Sequence, residues 1–326
     1  MVEFWRGHDI TRFPSHLVTQ IAEGIYSVGP ISTSRTQAGG QSISPFLVVG
    51  ERAAIVEPGD DLQAPKFLED VRYLDAIDLD HIDYIIPSHI HMHHVAAMNV
   101  LQQEITHAKL VVHQRGVQHM IDPTKLNEAT VKQSGEGRCA VLEAVPEDRI
   151  MAVAGGEVLD LGGRQLEIIE AVGHAPHDIC IFDRLTRALW IGDCLSLNHR
   201  IKRASAVMNV PGFDVEQTVA FLHRLRALNP DMLLVWDGIT AYYQADELLR
   251  TAEEEVLAIE QIVLEGMKQK LMDGKIGEKV LEYRLKVGLG PGGRPGAEPE
   301  PPKGPPALYR YLQKKHPELE IPQGVR

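Results

Sequence analysis

The chain has 326 residues, 44% hydrophobic and 24% charged, with no run of 18 apolar residues, which predicts a soluble globular protein and excludes a disordered or membrane-spanning one. Its formal charge is −12 and no block of five or six basic residues occurs, so nothing in it attracts nucleic acid or an anionic membrane surface. Residues 1–10 carry Glu3, Trp5, Arg6, His8 and Asp9 rather than a signal-peptide core, and Cys139, Cys180 and Cys194 are widely spaced, so a cytoplasmic protein with reduced thiols is expected.

Short runs rich in strand formers come first, at residues 24–28, 45–49 and 53–56, punctuated by Gly50 and Pro58-Gly59, and they predict an antiparallel meander. A helical pattern over 62–74 leads to an apolar strand at 82–86, stopped by Pro87 directly before His89-Ile90-His91-Met92-His93-His94. Val95, Met98, Val100 and Leu101 predict a helix leaving this cluster, followed by a strand at 110–112 and helical stretches to about 132.

The second half repeats that grammar, with strands near 157–161, 165–171, 178–182 and 188–191, a helix over 215–228 and a strand over 232–236. A long helix over 246–272 and another near 277–286 follow. The Gly/Pro-rich stretch 288–306 reads as a linker or surface-draped segment, and the apolar-aromatic piece 307–312 is expected to dock on its own fold or on another subunit.

Four of the fifteen histidines fall within the six positions 89–94. A single histidine is usually a surface residue or a satisfied core residue, but four together after a buried strand reverse that reading. Alternation directs His89 and His91 to the same side of an extended segment, as ligands of one metal ion require. The adjacent His93 and His94 then diverge, which suits a second ion held by His94, with or without His93.

The segment Ser88-His89-Ile90-His91-Met92-His93-His94 resembles the (Thr/Ser)-His-x-His-x-Asp-His signature of the metallo-β-lactamase superfamily. Gly173-His174-Ala175-Pro176-His177-Asp178 is similar to the family segment carrying the next ligand, and Gly192-Asp193 to its pair with the bridging aspartate. Glu57-Pro58-Gly59 stands where the family has Asp-x-Gly, an element that supports the ligands. The stretch from His113-Gln114-Arg115-Gly116 to Asp122-Pro123-Thr124-Lys125-Leu126 is similar to a subgroup of stand-alone metallohydrolases. The resemblance covers about residues 20–245. It implies a four-layer αββα sandwich as a catalytic domain over 1–244. The remaining residues, 245–326, then form a helical, Pro/Gly-rich extension that packs on the domain or on a partner subunit of a homo-oligomer.

Two positions depart from the family pattern. His93 occupies the place of a ligand aspartate, and Asp237, in Val235-Trp236-Asp237-Gly238, the place of the last ligand histidine. Because both replacements are themselves metal-binding and the ligand charge is unchanged, the resemblance implies a retained, rearranged dinuclear site. His89, His91 and His174 would hold one ion, His93, His94 and Asp237 the other, and Asp193 would bridge, with His93 and Asp237 as the catalytic residues. The alternative is a single ion on His89, His91, His174 and Asp193. Secondary candidates are His177 and Cys194, for which a strand-edge position and core packing are the favoured explanations, Tyr242 and Tyr243, which aromatic packing explains at least as well, and Asn198, His199 and Arg200, which only their exposure and polarity support.

The implied reaction is hydrolysis of a small ester, lactone or thioester by a metal-bridging hydroxide, with two divalent ions as cofactors, zinc first and iron or manganese as alternatives. Two other classes stay open: a di-iron protein reacting with oxygen or nitric oxide, and a metal-binding sensor without catalysis.

Overall fold

Four short strands, β1 (Val18–Ala22), β2 (Ile25–Val28), β3 (Phe46–Val49) and β4 (Ala53–Val56), pair antiparallel in sequence order. The chain then changes mode. Helix α1 (Ala64–Leu74) crosses to β5 (Ile82–Ile86), which runs parallel to β4. Helices α2 (Met92–Val95) and α3 (Met98–Glu104) cross to β6 (Lys109–His113), and α4 (Val117–Ile121) and α5 (Thr124–Ser134) to β7 (Ile150–Val153), again parallel. The result is a seven-stranded sheet in the order β1-β2-β3-β4-β5-β6-β7, whose parallel strands end along one edge. In such sheets ligands are held at the carboxyl ends of the strands, and the histidine cluster follows β5 at such an end.

Strands β8 (Val158–Asp160), β9 (Gln165–Glu170), β10 (Ile179–Asp183) and β11 (Ala188–Trp190) begin a second sheet. After the hairpin β12 (Leu195–Asn198) and β13 (Arg203–Ala206) and helix α6 (Val215–Ala227), β14 (Met232–Leu234) and β15 (Ala241–Tyr243) complete that sheet in the order β8-β9-β10-β11-β14-β15. Helices α7 (Ala245–Lys268), α8 (Asp273–Lys286) and α9 (Pro306–Lys315) close the chain. This computed structural model describes residues 18–28, 43–74, 76–137, 139–198, 201–208, 210–235, 241–289 and 303–325. Two compact units emerge, one of Met1–Glu170, Ile179–Trp190 and Leu234–Ala241, the other of Ala171–Asp178, Ile191–Leu233 and Tyr242–Arg326. No helix among the described residues is long and apolar enough to cross a membrane.

In the first unit the central strands, such as β4 and β10, are buried on both faces. Ala53, Ile55, Leu110 and Val112 pack with Phe67, Leu68 and Val71 of α1 and with Met98 and Leu101 of α3. On the opposite face Phe46 of β3 meets Trp190 of β11 edge-on, with ring centroids 5.6 Å apart, so the two sheets share a core. Side chains of this size each contribute roughly 1.5–3 kcal/mol on burial. A polar staple joins the same two sheets. The Arg164 guanidinium forks onto Asp183 at 3.1 and 2.8 Å and donates from Nη1 to the carbonyls of Glu23 and Val49, both at 2.9 Å. Gly24 has φ +61°, and a Cβ there would lie 2.4 Å from that Nη1, so the turn between β1 and β2 needs glycine twice over.

Two sheets with helical crossovers and C-terminal helices are what the expected fold class requires. The structure adds β1, β7, β15 and the β12–β13 hairpin to the predicted elements. The single helix expected after the cluster is two, because Ala97 N donates to Gly59 O, 2.9 Å away, and leaves the helical ladder. The piece at 307–312 lies in α9 and docks on its own chain: Tyr309 Oη donates to Asp273 Oδ1 at 2.8 Å, and Gly304 N donates to the same oxygen at 3.0 Å. Most of the Gly/Pro-rich stretch lies outside the described residues.

Candidate metal centre

Pro87 ends β5, and the next seven residues turn the chain into α2. His89 and His91 lie on the extended stretch, with His91 as the N-cap residue of α2 at φ −64° and ψ 145°, while His93 and His94 lie within that one-turn helix. Alternation brings the first two together: His89 Nε2 and His91 Nδ1 are 2.8 Å apart. The helical step keeps His93 and His94 adjacent, with ring centroids 4.4 Å apart, and the His94 ring lies 4.0 Å from that of His89. One ligand-type nitrogen from each of His89, His93 and His94 lies within 4.8 Å of the others. His89 and His94 are buried; His91 and His93 are partly exposed.

Two neighbouring groups fix the rings. Ser88 Oγ lies 3.0 Å from His89 Nδ1, and Glu57 Oε2 lies 2.7 Å from His94 Nδ1. That same carboxylate oxygen accepts from Ser88 N at 3.2 Å. A carboxylate acceptor keeps the proton of His94 on Nδ1 and leaves the Nε2 lone pair as the ligand atom. Glu57 does this from a left-handed backbone, φ 55°, a conformation that costs a non-glycine residue roughly 1–2 kcal/mol. Its main chain is held there by Glu57 N donating to Ile86 O at 2.9 Å. Sequence reasoning placed Glu57 near the ligands but passed over the Ser88 hydroxyl; a hydroxyl residue directly before the first histidine was the available signal.

In the other unit, His174 Nε2 and Asp193 Oδ2 are 3.5 Å apart, on loops that follow β9 and β11. Asp178 shapes the first of these loops by accepting from Ala175 N at 2.7 Å. Cys194 is buried and its thiol donates to Ile191 O at 2.7 Å. His177 is partly buried, Tyr242 is buried and Tyr243 is 55% exposed. Asn198 ends β12, whereas His199, Arg200 and Asp237 lie outside the described residues.

The donor chemistry fits divalent metal ions. Imidazole nitrogens and carboxylate oxygens at short mutual spacing are ligands of zinc and of the neighbouring first-row metals. At the end of β6, His113 is buried, accepts from Arg115 N at 3.3 Å and faces Glu170 at 3.7 Å; burial holds its pKa below the ordinary histidine value. Its neighbour Gly116 packs against Ile90, where a Cβ would meet Cγ2 at 3.2 Å, so the 113–116 turn braces the histidine loop.

Comparisons with known proteins bear on these residues. Residues 38–235, more than half of the chain, match the family model of the metallo-β-lactamase superfamily. The metallo-β-lactamase fold-containing protein ST1585 of Sulfurisphaera tokodaii is 29% identical over 109 residues, or 32% of this chain and 41% of that protein. The matched region thus spans about two fifths of the length of that curated relative. The crystal structure of ST1585 aligns with a TM-score of 0.55 at 21% identity, covering 72% of this chain and 86% of that one. Rubredoxin oxygen:oxidoreductase from Desulfovibrio gigas aligns at 0.53 and 16% identity, over 78% of this chain and 70% of that one. A B3 metallo-β-lactamase with an active-site glutamic acid aligns at 0.52 and 17% identity, over 77% and 94%. At these identities the structural likeness speaks for the fold.

Proposed function

We propose a function that starts from the family: this chain belongs to the metallo-β-lactamase superfamily. We infer that it is a divalent-metal-dependent hydrolase of a small ester, lactone or thioester. The observation that carries this reading is the buried His94–Glu57 pair beside three further imidazoles. A histidine with one nitrogen committed to a carboxylate is built to present the other to an ion.

In this reading His89, His91 and His174 would hold one ion, His93, His94 and Asp237 would hold a second, and Asp193 would lie between them as a shared ligand. Two ions so held, zinc in the first instance and iron or manganese otherwise, would supply an acidified water and a polarised substrate carbonyl. The chain's own groups orient that chemistry: Glu57 and Ser88 fix the rings of His94 and His89, and His93 and Asp237 hold the second position, on which catalysis depends. A net charge of −12 disfavours polyanionic substrates such as RNA and leaves small acyl compounds.

The test is elemental analysis and a visible spectrum of protein purified without added metal, followed by a screen of p-nitrophenyl esters, lactones and thioesters. Two metal equivalents, a featureless visible spectrum and turnover of one acyl class are expected. An oxo-bridged iron spectrum without acyl turnover would favour redox chemistry, of the kind the rubredoxin oxygen:oxidoreductase carries in its name. One ion per chain in excess zinc, manganese and iron would overturn the dinuclear assignment.

A further inference from the structure

In the second unit, α6, α7 and α9 line a groove of about 300 Å³. That volume is at the small end of the range of small-molecule sites. Its walls are apolar: Val215, Val219 and Ala220 come from α6, and Leu257 of α7 stands 41% exposed over it. The polar groups around it are mostly committed. Glu216 accepts from Tyr311 Oη and pairs with Lys315, and His223 Nε2 lies 2.9 Å from Glu253.

Glu260 is the exception. It is partly buried in α7, one helical turn beyond Leu257, and among the described residues no cation lies within ion-pair reach of it. Burial pushes its carboxyl above the ordinary glutamate range, opposed only by the charge of His316. A partly buried carboxylate at the side of an apolar groove, with no ion pair of its own among the described residues, gains from a cationic guest. An anion would meet Glu216 and Glu260, and a neutral apolar guest would desolvate Glu260 further without pairing it.

We propose that this groove is a binding site for a small organic cation with a short alkyl body, its ammonium group on Glu260 and its methylenes along Val215, Val219 and Leu257. The proposal is independent of the hydrolase reading, since it involves none of the histidines of the candidate metal centre.

Calorimetric titration of the full chain with n-hexylammonium, hexanoate and 1-hexanol tests it. Saturable one-site binding of hexylammonium is expected, with no binding of hexanoate and only weak binding of hexanol. Glu260→Gln should weaken hexylammonium about tenfold or more at unchanged Tm, because a charge-assisted hydrogen bond is lost. Ala220→Trp, which fills the groove, should abolish binding. The proposal fails if hexylammonium does not saturate, if hexanol or hexanoate binds equally well, or if both variants bind as the parent does. It fails equally if a second copy of the chain fills the groove, seen as dimerisation in light scattering that Ala220→Trp removes.

Discussion

His94 Nδ1 lies 2.7 Å from Glu57 Oε2, and the two side chains are 0% and 1% exposed. A pair so completely removed from water holds a fixed orientation, since neither partner has a solvent alternative. Glu57→Gln removes the charge and frees the choice of tautomer on His94. Metal affinity should fall by about 10–100-fold, measured by competition with a chromophoric chelator. Unchanged affinity would mean that Glu57 serves only the fold.

Metal content should also rank the histidines. His89→Ala and His174→Ala are each expected to lose metal, whereas His177→Ala should retain nearly all of it. The measurement is metal per chain by mass spectrometry after gel filtration. Equal retention in all three variants would sink the assignment of ligands.

The Arg164–Asp183 fork makes a prediction about stability alone. Asp183→Asn leaves a guanidinium 2% exposed without its counter-charge. A loss of about 3–5 kcal/mol is expected in urea unfolding. The double variant Arg164→Met with Asp183→Leu should recover much of it, because the desolvation cost disappears with the charges. A single variant within about 0.5 kcal/mol of the parent would show that water reaches the pair.

Acid titration should expose a second ion pair. The Arg52 guanidinium hydrogen-bonds Asp83 and holds its pKa below the ordinary aspartate range, against a desolvation effect in the other direction. A carboxyl with a lowered folded pKa adds stability above the unfolded value of about 3.9 and loses it as pH falls through the folded value. The stability difference between parent and Asp83→Asn should be constant near neutrality and vanish at strongly acid pH. A difference that grows on acidification would contradict the pairing. The effect is small, since both side chains are about one-third exposed, at 37% and 29%.

Much of this was legible in the residues themselves. Strand β5 could be read from its apolar run and Pro87, and the early meander from strand-forming runs cut by Gly50 and Pro58-Gly59. Strand β1 was not legible, because an edge strand with only two of its five residues buried carries little pattern. The hairpin β12–β13 does alternate, Leu195 and Leu197 against Ser196 and Asn198, but strands of four residues each are too short for that pattern to stand out. At the site, the clustering of histidines was visible, whereas Glu57, 37 residues before its partner His94, was reached only through the family resemblance and through no local pattern. The break between α2 and α3 depends on a carbonyl equally remote, that of Gly59. Contacts of that kind belong to tertiary structure and leave no local period.

The turn at Glu57-Pro58-Gly59 grips α2 from both sides, through the His94 ring and through the amide of Ala97 just beyond the helix. A single turn of helix with no side-chain cap has little persistence of its own. The lifetime of an ion held by His93 and His94 would therefore follow the opening of this one turn, well before the sheets come apart. Metal exchange should proceed in native protein at a rate set by residues 57–59 and insensitive to global stability, so that a more heat-resistant variant of this chain need not hold its metal any longer.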